Sequence, residues 1–461
     1  MASVPPQTPL LSPARLPLTL RYAWAAANAR HALRLALSPA VLGKQAAARS
    51  CAVAAAGGRV IYADHPWLPV VPASNMKLLS ATALLDHFGP SYRYHTDLVA
   101  GGPVVRGTLH GNLYLVGGGD PLLRSTAYNF YAKEVLHGGG VYTHFGQLVV
   151  LLRAAGVRRV SGSVVGVATR YDSVVTVPSW PAIYLAEGDV GPLSALSVDD
   201  GRALAGPPVP AGASPALQAA GLLTETLRAD KVAVAGPPGL GPLPGKTTAL
   251  VSLASPPLRA ELGEALQESD NTALELMVKE LGRAVYGRGS TAAGTRAVRE
   301  DLLHDHLPLG GLVNVDGSGL SPADRVTCSL LVAILERWGD TGALAQELPV
   351  AARSGTLAFA MRGTVAAGRV MAKTGTLAGV KALSGFVLPP GPVSRPAGVR
   401  GTGRGVGKAS PFVGPVVFSV VLNDLPPSDI GFGPELQVDQ IAEDMAKYPE
   451  APALARFEVG G

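Results

Sequence analysis

The chain has 461 residues and a formal net charge of +5; apolar residues make up 47% and charged residues 16%. That length exceeds one ordinary core and points to two or three domains of globular composition. No dense Lys/Arg stripe with interleaved aromatics occurs, which argues against nucleic-acid binding, and no run of about 18 uncharged apolar residues exists, so no integral membrane span is readable.

In chain order, residues 1–20 read as a Pro-rich disordered lead. They lack a basic segment followed by a continuous apolar core, so no clear signal peptide is present. Residues 22–36 read as a helix. SCAVAAAGGRVIYAD (50–64) gives two apolar runs around Gly57-Gly58, a hairpin signal. Cys51 in that run reads as a small buried hydrophobe. With Cys328 as the other cysteine, there is no disulfide framework, no CxxC and no Cys/His metal spacing; HExxH is absent too, so no metal is expected.

Next comes PASNMKLLS (72–80), which opens a helix near Ser74 that stops at Gly89-Pro90. From about 91 to 251 short Val/Leu/Tyr runs alternate with Gly turns, a β-rich texture like inserted material, with a helix at ALQAAGLLTETLRAD. Helical texture returns at 256 with PPLRAELGEALQE and NTALELMVKELGRAVYG, and strands follow near 370–388 and 416–423. Helices, a β-rich insert, then helices and strands describe one discontinuous domain interrupted by another. Between the last strands, 388–415 is Gly/Pro-rich and carries Arg395, Arg400, Arg404 and Lys408 without an acidic residue. It reads as a solvated loop, or else as a contact for an anionic polymer.

Three short motifs carry possible chemistry. Ser74 and Lys77 lie at i and i+3, on one face of a helix near its N-terminus, where unpaired N–H groups favour developing negative charge. Burial lowers a lysine pKa and could leave an amine able to take the serine proton; alternatively Ser74 is a cap and Lys77 faces solvent. Ser269-Asp270-Asn271 falls between two predicted helices. Ser269 could relay a proton and Asn271 hold a carbonyl, or the three could be ordinary cap residues. In VMAKTGTLAGV, Gly375 lets a strand edge approach a substrate backbone, and Lys373, Thr374 and Thr376 could hold a carboxylate, or the run is a charged edge strand. The three occur once each, in the order S-x-x-K, S-x-N, K-T-G, each on its expected element. That conjunction is the signature of penicillin-binding proteins and class A β-lactamases, and it makes Lys77 part of an active site.

With those motifs in place, the chain resembles the class C low-molecular-mass penicillin-binding proteins, the D-alanyl-D-alanine carboxypeptidase/endopeptidase family, from about residue 40 to 425. The blocks that carry the likeness are PASNMKLLSATALLDHFGP, GNLYLVGGGDPLL, VGPLSALSVDDG, SPPLRAELGEALQESDNTALELM, VDGSGLSPADRV, LPVAARSGTLAFAMRGT and GRVMAKTGTLAGVKALSGFV. The long insert between Ser74 and Ser269 separates it from class A β-lactamases.

The resemblance implies an α/β (α+β) fold: a β-lactamase/transpeptidase-like domain, an antiparallel sheet flanked by helices, over 21–90 and 252–461. A β-rich region at 91–251 would interrupt it, as two small domains with the inner one at about 103–168. It implies Ser74 as nucleophile, Lys77 as its base, and Ser269 and Asn271 opposite. Lys373, Thr374, Gly375 and Thr376 would bind substrate, with the backbone N–H groups of Ser74 and Thr376 as the oxyanion hole. Asp120, in GGGDP, maps to a position that can meet the free amine of a stem peptide. The implied substrates are peptidoglycan stem peptides, the implied covalent inhibitors β-lactams, and the implied setting extracytoplasmic, periplasmic or cell-wall associated; no cofactor is needed. A non-catalytic wall-binding homologue, or an esterase or aminopeptidase on the same fold, are the rival readings. Two positions depart from the family pattern: Pro322 stands where a basic residue is common after DGSGLS, and Ser354 where an acidic residue usually precedes Gly-Thr-Leu.

Overall fold

A computed structural model describes residues 18–36, 38, 44–135, 140–201, 214–389, 414–425 and 434–447. Most of the expected lead and most of the basic 388–415 loop lie outside the described residues. Contacts divide the chain into two compact units, Met1–Pro72 with Val326–Gly461, and Ala73–Arg325.

The first unit is built on a five-stranded antiparallel sheet in the order Val370–Leu377, Val380–Val387, Val416–Leu422, Cys51–Ala56, Arg59–Asp64. The hairpin expected around Gly57-Gly58 forms, with both glycines at positive φ, where a side chain would be strained. Strands buried along their whole length, such as Val380–Val387 and Val416–Leu422, imply cover on both faces. One face carries Ala52, Ala54, Ala372, Leu383, Phe418 and Val420, packed with Leu33 of the opening helix Leu18–Ala36 and Ile441 and Met445 of the closing helix Pro434–Ala446. The small alanines on the strands let those helices approach closely.

Cys51 and Cys328 form a disulfide. This corrects the reading of Cys51 as a plain buried hydrophobe: both are buried, but as a pair. Cys51 opens its strand and Cys328 opens the helix Cys328–Trp338. The bridge Val70–Val326 also brings neighbouring segments together, and the disulfide itself spans 277 residues of sequence, a proximity no local pattern records.

The second unit holds the helices Met76–Phe88, Leu258–Glu268, Asn271–Tyr286 and Thr291–His304 and the inserted region. The insert has a mixed sheet in the order Gly239–Leu240, Val164–Val167, Leu113–Val116, His95–Ala100, Thr248–Ala254, beside a four-stranded sheet of two-residue strands. It is less purely β than its Gly-punctuated texture implied. Besides the expected helix Pro215–Ala229 it contains Thr126–Val135 and Gln147–Ala154, whose Leu148, Val149 and Leu152 join Leu113, Leu115, Val164 and Leu223 in one core. Among the described residues no helix is long and apolar enough to cross a membrane.

Candidate active site

Ser74 sits in a one-turn 3-10 segment, Ala73–Asn75, and the α-helix that carries Lys77 begins at Met76. Ala73 holds a positive φ of 47°, uncommon for a residue with a β-carbon, so the chain enters this turn through a strained elbow. Lys77 does not turn to solvent; it is fully buried. Its amine donates to Ser74 Oγ at 2.9 Å, Asn271 Oδ1 at 2.5 Å and the Ser318 carbonyl at 2.8 Å. Three partners saturate the three protons of an ammonium. Burial pulls its pKa down from 10.5 to about 8, against the opposing pull of Asp316, Asp270 and Glu275. Once a proton leaves, the lone pair can accept from the Ser74 hydroxyl over the same 2.9 Å contact.

The turn Ser269–Asn271 joins two helices, and the cap reading of this triplet holds alongside the functional one. Ser269 ends Leu258–Glu268 in the left-handed conformation, and the Asp270 carboxylate accepts from Ala273 N at 2.9 Å to cap Asn271–Tyr286. This frees the neighbouring Asn271 side chain to bridge: Oδ1 takes the lysine, while Nδ2 donates to the Asp189 carbonyl at 2.8 Å. Asp270 is itself held by Arg124 Nη2 at 3.2 Å. Ser269 is half-buried two residues from Asn271; its hydroxyl is not one of the three partners of Lys77.

Sequence reading quoted VDGSGLSPADRV only as a block and gave its side chains no role. It is the third wall of the lysine site. Glu275 accepts from the N–H groups of Gly317 and Ser318, both at 2.8 Å. Asp316 accepts from Gly319 N at 2.6 Å, and from Ser321 N and Trp180 Nε1 at 2.7 Å. Asp324 accepts from Val315 N at 2.7 Å. These bonds set the direction of the Ser318 carbonyl that receives Lys77, and the Gly317 carbonyl that receives Ser80 Oγ at 2.8 Å. Burial and the mutual repulsion of neighbouring carboxyls push Glu275 and Asp324 upward. The signal was present as two acidic residues, Asp316 and Asp324, in a Gly/Ser-rich turn, with Glu275 on the neighbouring helix, but a turn of that composition usually lies in solvent.

Asp120 belongs to the same unit, away from the lysine contacts. It is buried, accepts from Leu122 N at 3.0 Å, and faces Glu261 and Thr143; burial lifts its pKa to about 6.

Lys373, Thr374, Gly375 and Thr376 lie in the first unit on the edge strand Val370–Leu377. Alternation along a strand sends Lys373 and Gly375 to one face and Thr374 and Thr376 to the other. The buried Lys373 amine donates to the Thr374 carbonyl at 3.1 Å. Thr374 Oγ1 donates to Thr356 Oγ1 at 2.8 Å, and Thr376 Oγ1 accepts from Lys381 Nζ at 3.1 Å.

Comparison with known proteins extends over nearly the whole molecule. The chain is 33% identical to a D-alanyl-D-alanine carboxypeptidase of Actinomadura sp. (strain R39), over 88% of this chain and 82% of that one. It is 29% identical to a carboxypeptidase of Mycobacterium tuberculosis, over 83% and 82%. Among solved structures it shares its fold with penicillin binding protein 4 of Haemophilus influenzae: TM-score 0.67, 20% identity, 86% of this chain and 95% of that one. The same protein complexed with a β-lactam superposes at TM-score 0.61, also at 20% identity and over 86% and 95%. A family model matches residues 32–206 and 207–428, which takes in Ser74, Lys77 and Asn271 as well as the Lys373 strand, and the chain belongs to the family that model describes, D-Ala-D-Ala carboxypeptidase 3 (S13).

Proposed function

We propose that this serine-type D-Ala-D-Ala carboxypeptidase/endopeptidase works on peptidoglycan stem peptides through an acyl-enzyme on Ser74. The contact that carries the reading is the buried Lys77 amine, 2.9 Å from Ser74 Oγ and braced on its other sides by Asn271 and Ser318. As Oγ attacks the carbonyl of the D-Ala-D-Ala bond, its proton passes to the neutral amine. The C–N bond then breaks, and the departing amine takes a proton relayed through Ser269. Water repeats the sequence to release the acyl group and restore Ser74.

Asn271 holds both the amine and the substrate amide. Lys373, Thr374 and Thr376 bind the C-terminal carboxylate, Gly375 lets the strand edge approach the substrate backbone, and the N–H groups of Ser74 and Thr376 are the oxyanion donors. Asp120 is the acceptor for the stem-peptide amine, and β-lactams acylate Ser74 as mimics of the substrate. We keep 91–251 as an insertion within a transpeptidase-like domain.

The setting is extracytoplasmic, periplasmic or cell-wall associated. The buried disulfide supports it, because such bonds persist in oxidising compartments.

The deciding experiment is intact mass spectrometry after benzylpenicillin, for wild type and Ser74→Ala, with D-alanine release from a D-Ala-D-Ala peptide assayed in parallel. An adduct and D-alanine release in the wild type alone are expected. An adduct that survives Ser74→Ala moves the nucleophile elsewhere; an adduct without D-alanine release favours a wall-binding homologue.

A further inference from the structure

We propose that Lys381 is a substrate-binding residue, the cation that holds the terminal carboxylate beside Thr374 and Thr376. This rests on the reading of the Lys373 strand as the carboxylate site, and it changes which charge does the holding.

The argument begins with strand geometry. Two hydroxyls suited to a carboxylate, Thr374 and Thr376, project from one face of Val370–Leu377, and Lys373 projects from the other. The amine of Lys373 is buried against its own strand, on the Thr374 carbonyl. A different lysine shares the threonine face. In the antiparallel register Thr376 stands directly opposite Lys381 of Val380–Val387, and directly paired residues project to the same side. Lys381 is 3% exposed, and its amine donates to Thr376 Oγ1 at 3.1 Å.

These groups line a pocket of about 320 Å³, whose polar wall is Thr356, Thr374, Thr376 and Lys381, and whose apolar wall includes Leu357 and Val438. That is large enough for a carboxylate with its methyl-bearing carbon, at the lower end of the volumes that hold small ligands. A mixed wall of this kind also fits the substrate end: an anion on the cation and hydroxyls, and a methyl on leucine and valine. Burying an ammonium is costly unless an anion or strong acceptors meet it. Asp439 also lines the pocket, so the structural alternative is a lysine kept only to balance that carboxylate.

The two roles separate by substrate. Wild type, Lys381→Met, Lys381→Arg and Asp439→Asn are assayed on diacetyl-Lys-D-Ala-D-Ala as the free acid and as its C-terminal amide. The expected result is a tenfold or greater fall in the free-acid to amide ratio of kcat/KM in Lys381→Met, expressed mainly in KM, with much of the ratio restored in Lys381→Arg. Full stoichiometric acylation of Lys381→Met by benzylpenicillin, at a reduced rate, shows that the Ser74 chemistry is intact. An unchanged ratio overturns the proposal. So does a parallel loss on both substrates with matching falls in Tm for Lys381→Met and Asp439→Asn, which is the signature of a structural pair. A wild type that neither acylates nor releases D-alanine defeats the assigned function itself, and this proposal with it.

Discussion

Gly319 lies directly against the carbonyl of Ala73, the residue before Ser74: a β-carbon built on Gly319 would collide with that oxygen and crowd Met76. Gly319 also needs its positive φ of 83°. The two constraints make it the backstop of the strained elbow that presents Ser74. Gly319→Ala must therefore shift the turn or rotate the loop held by Asp316. The expected cost is about 1–3 kcal/mol of stability, seen as a lower urea midpoint, together with a penicillin-acylation rate reduced at least tenfold. A variant that acylates at the wild-type rate would show that the elbow is not held from this side.

The Lys77 amine titrates near 8, below its ordinary 10.5, because burial penalises the ammonium more than Asp316, Asp270 and Glu275 reward it. Only the free base can accept the Ser74 proton. The rate of acylation by benzylpenicillin should therefore rise about tenfold per pH unit below that value and level off above it. Lys77→Met should lose about two to four orders of magnitude and the pH dependence with them. A wild-type profile flat from pH 6 to 9 would remove Lys77 as the base.

What the sequence showed and what it hid divide along physical lines. The helix from Met76, the hairpin at Gly57-Gly58 and the strands from Val370 and Val416 were legible because periodicity and Gly punctuation are local signals. The Ser74–Lys77 pair was legible because three residues on a helix face fix a contact. The Cys51–Cys328 bond was not legible, since it depends on strands and a helix meeting across 277 residues. Glu275 and Asp316 were missed for a different reason: their partners are backbone N–H groups and, for Asp316, the distant Trp180 side chain, which no sequence pattern names. The side of the strand that Lys373 takes followed from alternation alone; the presence of Lys381 opposite Thr376 required the register.

Arg124 is 1% exposed on its guanidinium side chain and stands 3.2 Å from Asp270, 3.5 Å from Glu268 and 3.9 Å from Glu264. It is the cation under the Ser269–Asn271 turn. Removing it leaves buried carboxylates facing one another, so Arg124→Met should destabilise by about 3–5 kcal/mol. Arg124→Lys keeps the charge but loses the planar fork, and should fall between. Equilibrium urea unfolding measures both. A loss below about 1 kcal/mol for the Met variant would mean that those carboxyls are protonated in the folded chain and need no counter-charge.

The disulfide closes a loop of 277 residues of sequence separation, and cross-linking a long loop restricts the unfolded chain more than a short one. Cys51→Ala, Cys328→Ala and the double variant should each lose about 2–5 kcal/mol. Each removes the same bond, so the double variant should fall no further than the singles beyond what two small side chains cost. Reductant added to the wild type should reproduce the loss. Alkylation supplies the independent check: unfolded but unreduced protein should take up no iodoacetamide, and reduced protein two equivalents. Two adducts without reduction would show free thiols, and the stability of the first unit would then rest on its sheet and helices alone.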